Sequence, residues 1–149
     1  LVNAIFSSRE IESVYLVGAG GSNSYIEPVK YILDKYCDLR IERINATEFA
    51  KRYATKPIII DVRKKSEFDS EHVVDAINVP LNQINQHLAQ FPKDKPFIVH
   101  CAGGYRSMIA ASILKQRGWD DFVDVEGGFG AIKQTDVKRT DYVGPTTML

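Results

Sequence analysis

Residues 97–107 read FIVHCAGGYRS. The run PFIVH, 96–100, has the length and β-branched character of a strand buried on both faces. Cys101 ends it, and two glycines follow. Ser107 then opens a helical pattern, SMIAASILKQR, in which the pairs Ile109, Ile113 and Ala110, Leu114 are expected to face inward. Gly118 stops the helix in the usual C-terminal way. A strand passing through a glycine turn into a helix is the unit of an α/β parallel sheet, whose working loops lie at the carboxyl ends of the strands. The stretch therefore sets both the fold class and the place where chemistry is expected.

Working outward, LRIERI at 39–44 reads as a strand, and Asn45 or Thr47 can cap a short helix through Tyr53. PIIIDVR at 57–63 is a second buried strand. Residues 64–75 are polar and read as irregular, AINVP at 76–80 as a short strand, and 81–91 as a helix. DFVDV at 121–125 is the last strand, followed by Gly127 and Gly128. The tail, 135–149, has no periodicity and reads either as a strap over the surface or as disordered. Strands alternating with helices imply a parallel sheet with helices on both faces.

The 149 residues suffice for one domain of about 100–150 residues and some extra chain. Hydrophobic content of 44% and charged content of 26% are those of a globular protein. The 19 basic residues balance the 19 acidic ones, so charge points to neither nucleic acid nor an anionic membrane. No apolar run approaches the roughly 18 residues of a membrane span, and no signal-peptide pattern opens the chain. Two cysteines make no disulfide framework, and a cytoplasmic location with reduced thiols is expected. Cys37 lies on an apolar stripe with Val29, Ile32, Leu33 and Tyr36, as a core residue would.

The chemistry concentrates in the loop Cys101, Ala102, Gly103, Gly104, Tyr105, Arg106, Ser107. The glycines allow a tight arc whose N–H groups point inward, and the following helix adds its positive end. Arg106 adds a permanent charge with a planar donor fork. Such a nest favours an anionic sulfur and can hold an anionic substrate, so Cys101 is the expected nucleophile and the other six residues the expected binding elements. The bland alternative is a buried cysteine beside a surface arginine. No His-x-His-x-Asp-His cluster is present, and no metal is expected in this piece.

Two chemistries use this layout. Cysteine phosphatases carry His-Cys, five intervening residues and then Arg, and His100-Cys101 fits that start. Only four residues separate Cys101 from Arg106 here, however. The shorter arc, CxxGxR, resembles the active-site loop of the rhodanese family, and it suits a sulfur on the cysteine better than a whole phosphate. The resemblance extends to IIIDVRKKSEF at 58–68, to EHVVDAINVP at 71–80 with His72, Ala76 and Pro80 in place, and to EGGF at 126–129. Glu71 and Asp75 stand where the family has glycines, and Ile132 where a tryptophan is common. Asp61, Arg63, Glu67 and His72 form a tempting catalytic set; they are read instead as ties between turns. The match covers roughly 42–134 and implies a five-stranded parallel sheet and a sulfurtransferase. In that reaction, as the resemblance implies, Cys101 takes sulfur from thiosulfate or a persulfide and passes it to a thiol, cyanide or a protein acceptor, with no metal or organic cofactor needed for the step. A non-catalytic relay, persulfide sensor or docking module is the alternative.

Residues 14–24, VYLVGAGGSNS, repeat the pattern of 97–107, with Gly18 at the position of Cys101 and Asn23 at that of Arg106. Residues 1–41 are therefore expected to be the strand–loop–helix end of a degenerate rhodanese-like unit. A plain structural turn remains open, and a dinucleotide site is disfavoured because Asn23 stands where its third glycine belongs. An inactive unit before an active one, with a tail like TDYVGPTTML, resembles the C-terminus of metallo-β-lactamase-fold fusions related to persulfide dioxygenases. That resemblance implies an N-terminal metallo-β-lactamase-fold domain as partner in a parent chain.

Overall fold

The computed structural model describes residues 41–144. Residues 1–40, with the segment 14–24 and Cys37 of the expected degenerate unit, and residues 145–149 lie outside the described residues. Among the described residues there are five strands: β1 (Glu42–Ile44), β2 (Ile58–Asp61), β3 (Ile77–Asn78), β4 (Phe97–His100) and β5 (Phe122–Val125). They form one sheet in the order β1-β5-β4-β2-β3, every pairing parallel. The helices are α1 (Ala46–Tyr53), α2 (Lys65–Ser70), α3 (Tyr105–Gln116) and α4 (Gly128–Ile132).

Both faces of the sheet are covered, as the strand–helix alternation requires. On one face Ile60, Val62, Val99, Phe97 and Phe122 pack with Ala110 and Leu114 of α3. On the other, Ile59, Ile98, Val123 and Val125 pack with Phe49 of α1 and with Phe129 and Ile132 of α4. The central strands β4 and β5 are buried at every position. Their near-continuous apolar character follows from this double coverage. Asn45 is the cap of α1, its side chain accepting the Glu48 N–H at 2.9 Å.

Four local expectations are corrected. Residues 65–70 are helical, not irregular. The turn carries no buried residue, so it has no apolar stripe to read; the Glu67 carboxylate closes its first turn by accepting the Lys64 N–H at 3.1 Å. Residues 81–91 form two 3₁₀ turns, Leu81–Gln86 and Leu88–Gln90, rather than one α-helix. Helix α3 starts at Tyr105, two residues before Ser107, because Gly104 takes the left-handed conformation (φ 97°) and turns the chain into the helix early. Its buried face is Ser107, Ala110, Ala111 and Leu114, while Ile109 is only partly buried.

The tail resolves, as far as it is described, into a strap. Residues 138–143 run antiparallel to 70–74, with Val74 N–H donating to Lys138 O (3.0 Å), Thr140 N–H to His72 O (2.9 Å) and Val143 N–H to Ser70 O (2.7 Å). Val137 is buried in the core beneath it. Asp75, in place of a glycine, holds a left-handed φ of 68°.

Candidate active site

Cys101 follows the last residue of β4, at the carboxyl end of the central strand. It is 1% exposed and free of disulfide. The chain then bends over it. Gly103 is exposed, and a Cβ there would meet nothing within 4 Å. The Gly104 N–H points back into the arc and donates to Cys101 Sγ at 3.1 Å. Thus the loop presents one main-chain donor to the sulfur. Tyr105 stands at the rim, 51% exposed, and Ser107 is buried.

The underside of the loop rests on α4. Phe129 N–H donates to Cys101 O at 2.6 Å and Gly130 N–H to Ala102 O at 2.9 Å. Gly128 has φ 53°, and a Cβ there would overlap Cys101 O and lie 2.8 Å from Ala102 C. The Gly-Gly pair after β5 is what lets α4 approach the backbone of the Cys101 loop this closely.

Arg106 does not project freely. Its Nη1 and Nη2 donate to Glu67 Oε2 and Oε1 at 2.5 and 2.9 Å, a bidentate pair between α3 and α2. The Arg106 guanidinium holds the Glu67 carboxyl down to about 2, well below the usual carboxylate range. The same pairing raises Arg106 further. Of the other residues read as ties, Arg63 grips the buried Asp61, Nε to Oδ2 at 2.9 Å and Nη2 to Oδ2 at 2.6 Å. Arg63 also donates to Glu71 O at 2.8 Å and lies 4.0 Å over the Phe129 ring. His72 stacks on Phe68 and contacts Phe68 O through Nδ1 at 2.6 Å.

His100, adjacent in sequence to Cys101, faces the other way. Alternation along the strand sends its ring against Phe49 and Phe129, whereas Cys101 belongs to the cluster under α3. Burial lowers its pKa, so the imidazole is neutral. Its Nε2 has no hydrogen-bond partner and sits 3.9 Å from Asp61 Oδ2.

Two residues outside the expected set meet the loop from the β1–β5 side. Arg43 donates through Nε to Asp124 Oδ2 at 2.9 Å, and its Nη2 reaches the flank of Gly104. Their adjacency comes from the parallel register, Arg43 opposite Asp124, which depends on strand order and leaves no local signal. Burial pushes the Asp124 carboxyl up, opposed by Ser107 and Arg43 beside it.

A separate cavity of about 840 Å³ lies at the opposite end of the sheet, lined by Glu42, Pro57, Phe97, Lys115 and Asp121 among others. It contains no loop residue. Among the described residues no cluster of three His, Cys, Asp or Glu side chains could hold a metal ion. Likewise, no described helix is long and apolar enough to cross a membrane.

The family profile of the rhodanese-like domain matches residues 45–135. Thiosulfate sulfurtransferase GlpE of Pseudomonas savastanoi pv. phaseolicola is 35% identical over 72 residues, 48% of this chain and 68% of that protein. An uncharacterised protein of Bacillus subtilis, YqhL, is 34% identical over 89 residues, 60% of this chain and 70% of its own length. The crystal structure of a rhodanese-related protein from Thermoplasma volcanium superposes with a TM-score of 0.60 at 28% identity, covering 66% of this chain and 97% of that one. With the CxxGxR arc at the end of β4 and the five-stranded parallel sheet around it, the chain belongs to the rhodanese-like domain family.

Proposed function

We propose that the chain is a sulfurtransferase that works through a persulfide on Cys101. The observation that carries this reading is the Gly104 N–H aimed at Cys101 Sγ, at 3.1 Å, inside a four-residue arc. A donor so placed stabilises negative charge on sulfur whether it is a thiolate or a Cys–S–S⁻ terminus.

The Cys101 thiolate attacks the outer sulfur of thiosulfate. The sulfur–sulfur bond of the donor breaks, and sulfite leaves with its electron pair. Cys101 then carries the sulfur as a persulfide anion. In the second half a thiolate or cyanide attacks that outer sulfur, the Cys101 S–S bond breaks, and the thiolate is regenerated. No net redox equivalent enters or leaves. The Gly104 N–H holds the anion, and Arg106, fixed by Glu67, supplies positive charge at the edge of the arc.

Support also comes from relatives that bear the name thiosulfate sulfurtransferase at about a third identity. The test is turnover: production of thiocyanate from thiosulfate and cyanide, run beside glutathione persulfide as donor. Turnover in either, lost in Cys101→Ser, supports the reading; none in either opposes it. The proposed parent chain, with a metallo-β-lactamase-fold domain ahead of this piece, rests on the sequence resemblance and is tested by reading the coding sequence upstream of Leu1. A cytoplasmic site of action is likewise proposed, on the reduced Cys101 thiol that the chemistry requires.

A further inference from the structure

We propose that Arg43, on the edge strand β1, is a positioning residue for the Cys101 loop. The inference rests on the reading of Cys101 as the reactive thiol. Asp124 is fully buried, and among the described residues Arg43 is the only cation paired with it. The pair sits directly across the β1–β5 ladder. That anchor uses Nε, and Nη1 lies 3.7 Å from Glu126 Oε1, just ahead of the Gly127-Gly128 turn. Nη2 is left for the loop. It lies 3.5 Å from the point a Cβ would occupy on Gly104, and Gly127 N lies 3.3 Å from the same point.

The guanidinium therefore lines the space on the Cβ side of Gly104, the residue whose N–H holds Cys101 Sγ. Gly104 turns in the left-handed conformation, open to several backbone paths, and the planar guanidinium, about a methyl's width from its flank, bounds how far the loop can shift to that side. From the opposite side Glu67 and Arg106 tie the start of α3 to α2. The arc is gripped at both edges, and each grip places a cation beside the sulfur loop. Beneath it Ser107 Oγ and Asp124 Oδ1 are buried without a well-formed hydrogen bond, so the Arg43 contact is what anchors this carboxylate.

Lysine separates positioning from simple charge pairing. A Lys ammonium can pair with Asp124 but cannot also stand behind Gly104, because it has one nitrogen and not a planar fork. Iodoacetamide alkylation of Cys101 reads the loop without any sulfur substrate, and thermal melting reads the fold. In Arg43→Lys the melting temperature is expected to stay near wild type while alkylation slows roughly 5- to 20-fold, the effect of a weakened hydrogen bond to an anion. With thiosulfate the same loss is expected in kcat, with KM unchanged, because the contact is to the loop and not to the donor. In Arg43→Met the melt is expected to fall as well; Arg43→Met with Asp124→Asn removes the buried charge and restores folding but not the alkylation rate. Wild-type alkylation in a folded Arg43→Lys, or recovery of the rate in the double variant, would overturn the proposal. Absence of sulfur transfer by the wild type would count against the sulfurtransferase reading and leave the alkylation comparison to decide on Arg43.

Discussion

Replacing Gly128 by alanine tests how closely α4 supports the Cys101 loop. The first cost is conformational: at φ 53° a Cβ is disfavoured by about 1 kcal/mol or more. A second cost is overlap. The new methyl would collide with Cys101 O and lie 2.8 Å from Ala102 C, both backbone atoms, so no side-chain rotation relieves it. Either α4 withdraws or the loop lifts, and the bonds Phe129 N–H to Cys101 O and Gly130 N–H to Ala102 O are lost, at about 1 kcal/mol each. Together these come to about 3–4 kcal/mol, a large share of the 5–15 kcal/mol typical of a domain. The expected fall in melting temperature is about 12 °C or more. Gly118→Ala isolates the conformational part, since φ is 87° there but a Cβ would meet nothing within 4 Å. Gly103→Ala has neither cost and is expected to melt within about 0.5 kcal/mol of wild type. Circular dichroism melts of the three variants, with Cys101 alkylation measured on each, complete the comparison. Equal losses in Gly128→Ala and Gly118→Ala would refute the reasoning, since the overlap would then cost nothing.

Other outcomes follow from the same contacts. Arg106→Ala is expected to lower kcat/KM for thiosulfate roughly 10- to 150-fold through the lost charge-assisted contacts, whereas Glu67→Gln, which leaves Arg106 charged but loosely held, lowers it less; steady-state kinetics check both. The folded Glu67 carboxyl titrates near 2, below its ordinary 4.5, so its contribution is full above pH 4.5 and is lost as pH falls toward 2. Discounted for its partial exposure this is about 1 kcal/mol, read as a shallower acid limb of urea stability in Glu67→Gln. His100 shifts the other way from a paired histidine: buried and neutral in the fold, it gains a proton more readily when unfolded, so stability declines as pH falls below about 6.5. That decline is expected to vanish in His100→Gln, as urea titrations between pH 5 and 8 check. Asp75→Val places a β-branched side chain at φ 68° and is expected to cost about 1–2 kcal/mol in the same titrations.

Much of this architecture was legible because the residues that decide it are local. PIIID and PFIVH announce buried strands by composition, and Asn45 and Gly118 punctuate helices by known chemistry. The arc from Cys101 to Arg106 is likewise contiguous, and its spacing separates it from a phosphatase loop. What escaped was either unpatterned or non-local. Helix α2 has no buried residue, so its one informative feature was Glu67, whose partner Arg106 lies 39 positions away. Arg43 and Asp124 meet only because β1 lies beside β5 at the edge of the sheet, an order that no periodicity encodes. His100 misleads in the opposite sense: its place beside Cys101 suggests a working pair, yet strand alternation puts the two on opposite faces.

In the proposed reaction Cys101 itself carries the transferred sulfur. Incubation with thiosulfate, removal of excess donor and intact mass spectrometry test it directly. The expected result is an added mass of one sulfur, located on the Cys101 peptide, discharged by cyanide and absent in Cys101→Ser. An unmodified Cys101 in a protein that instead turns over p-nitrophenyl phosphate would contradict it.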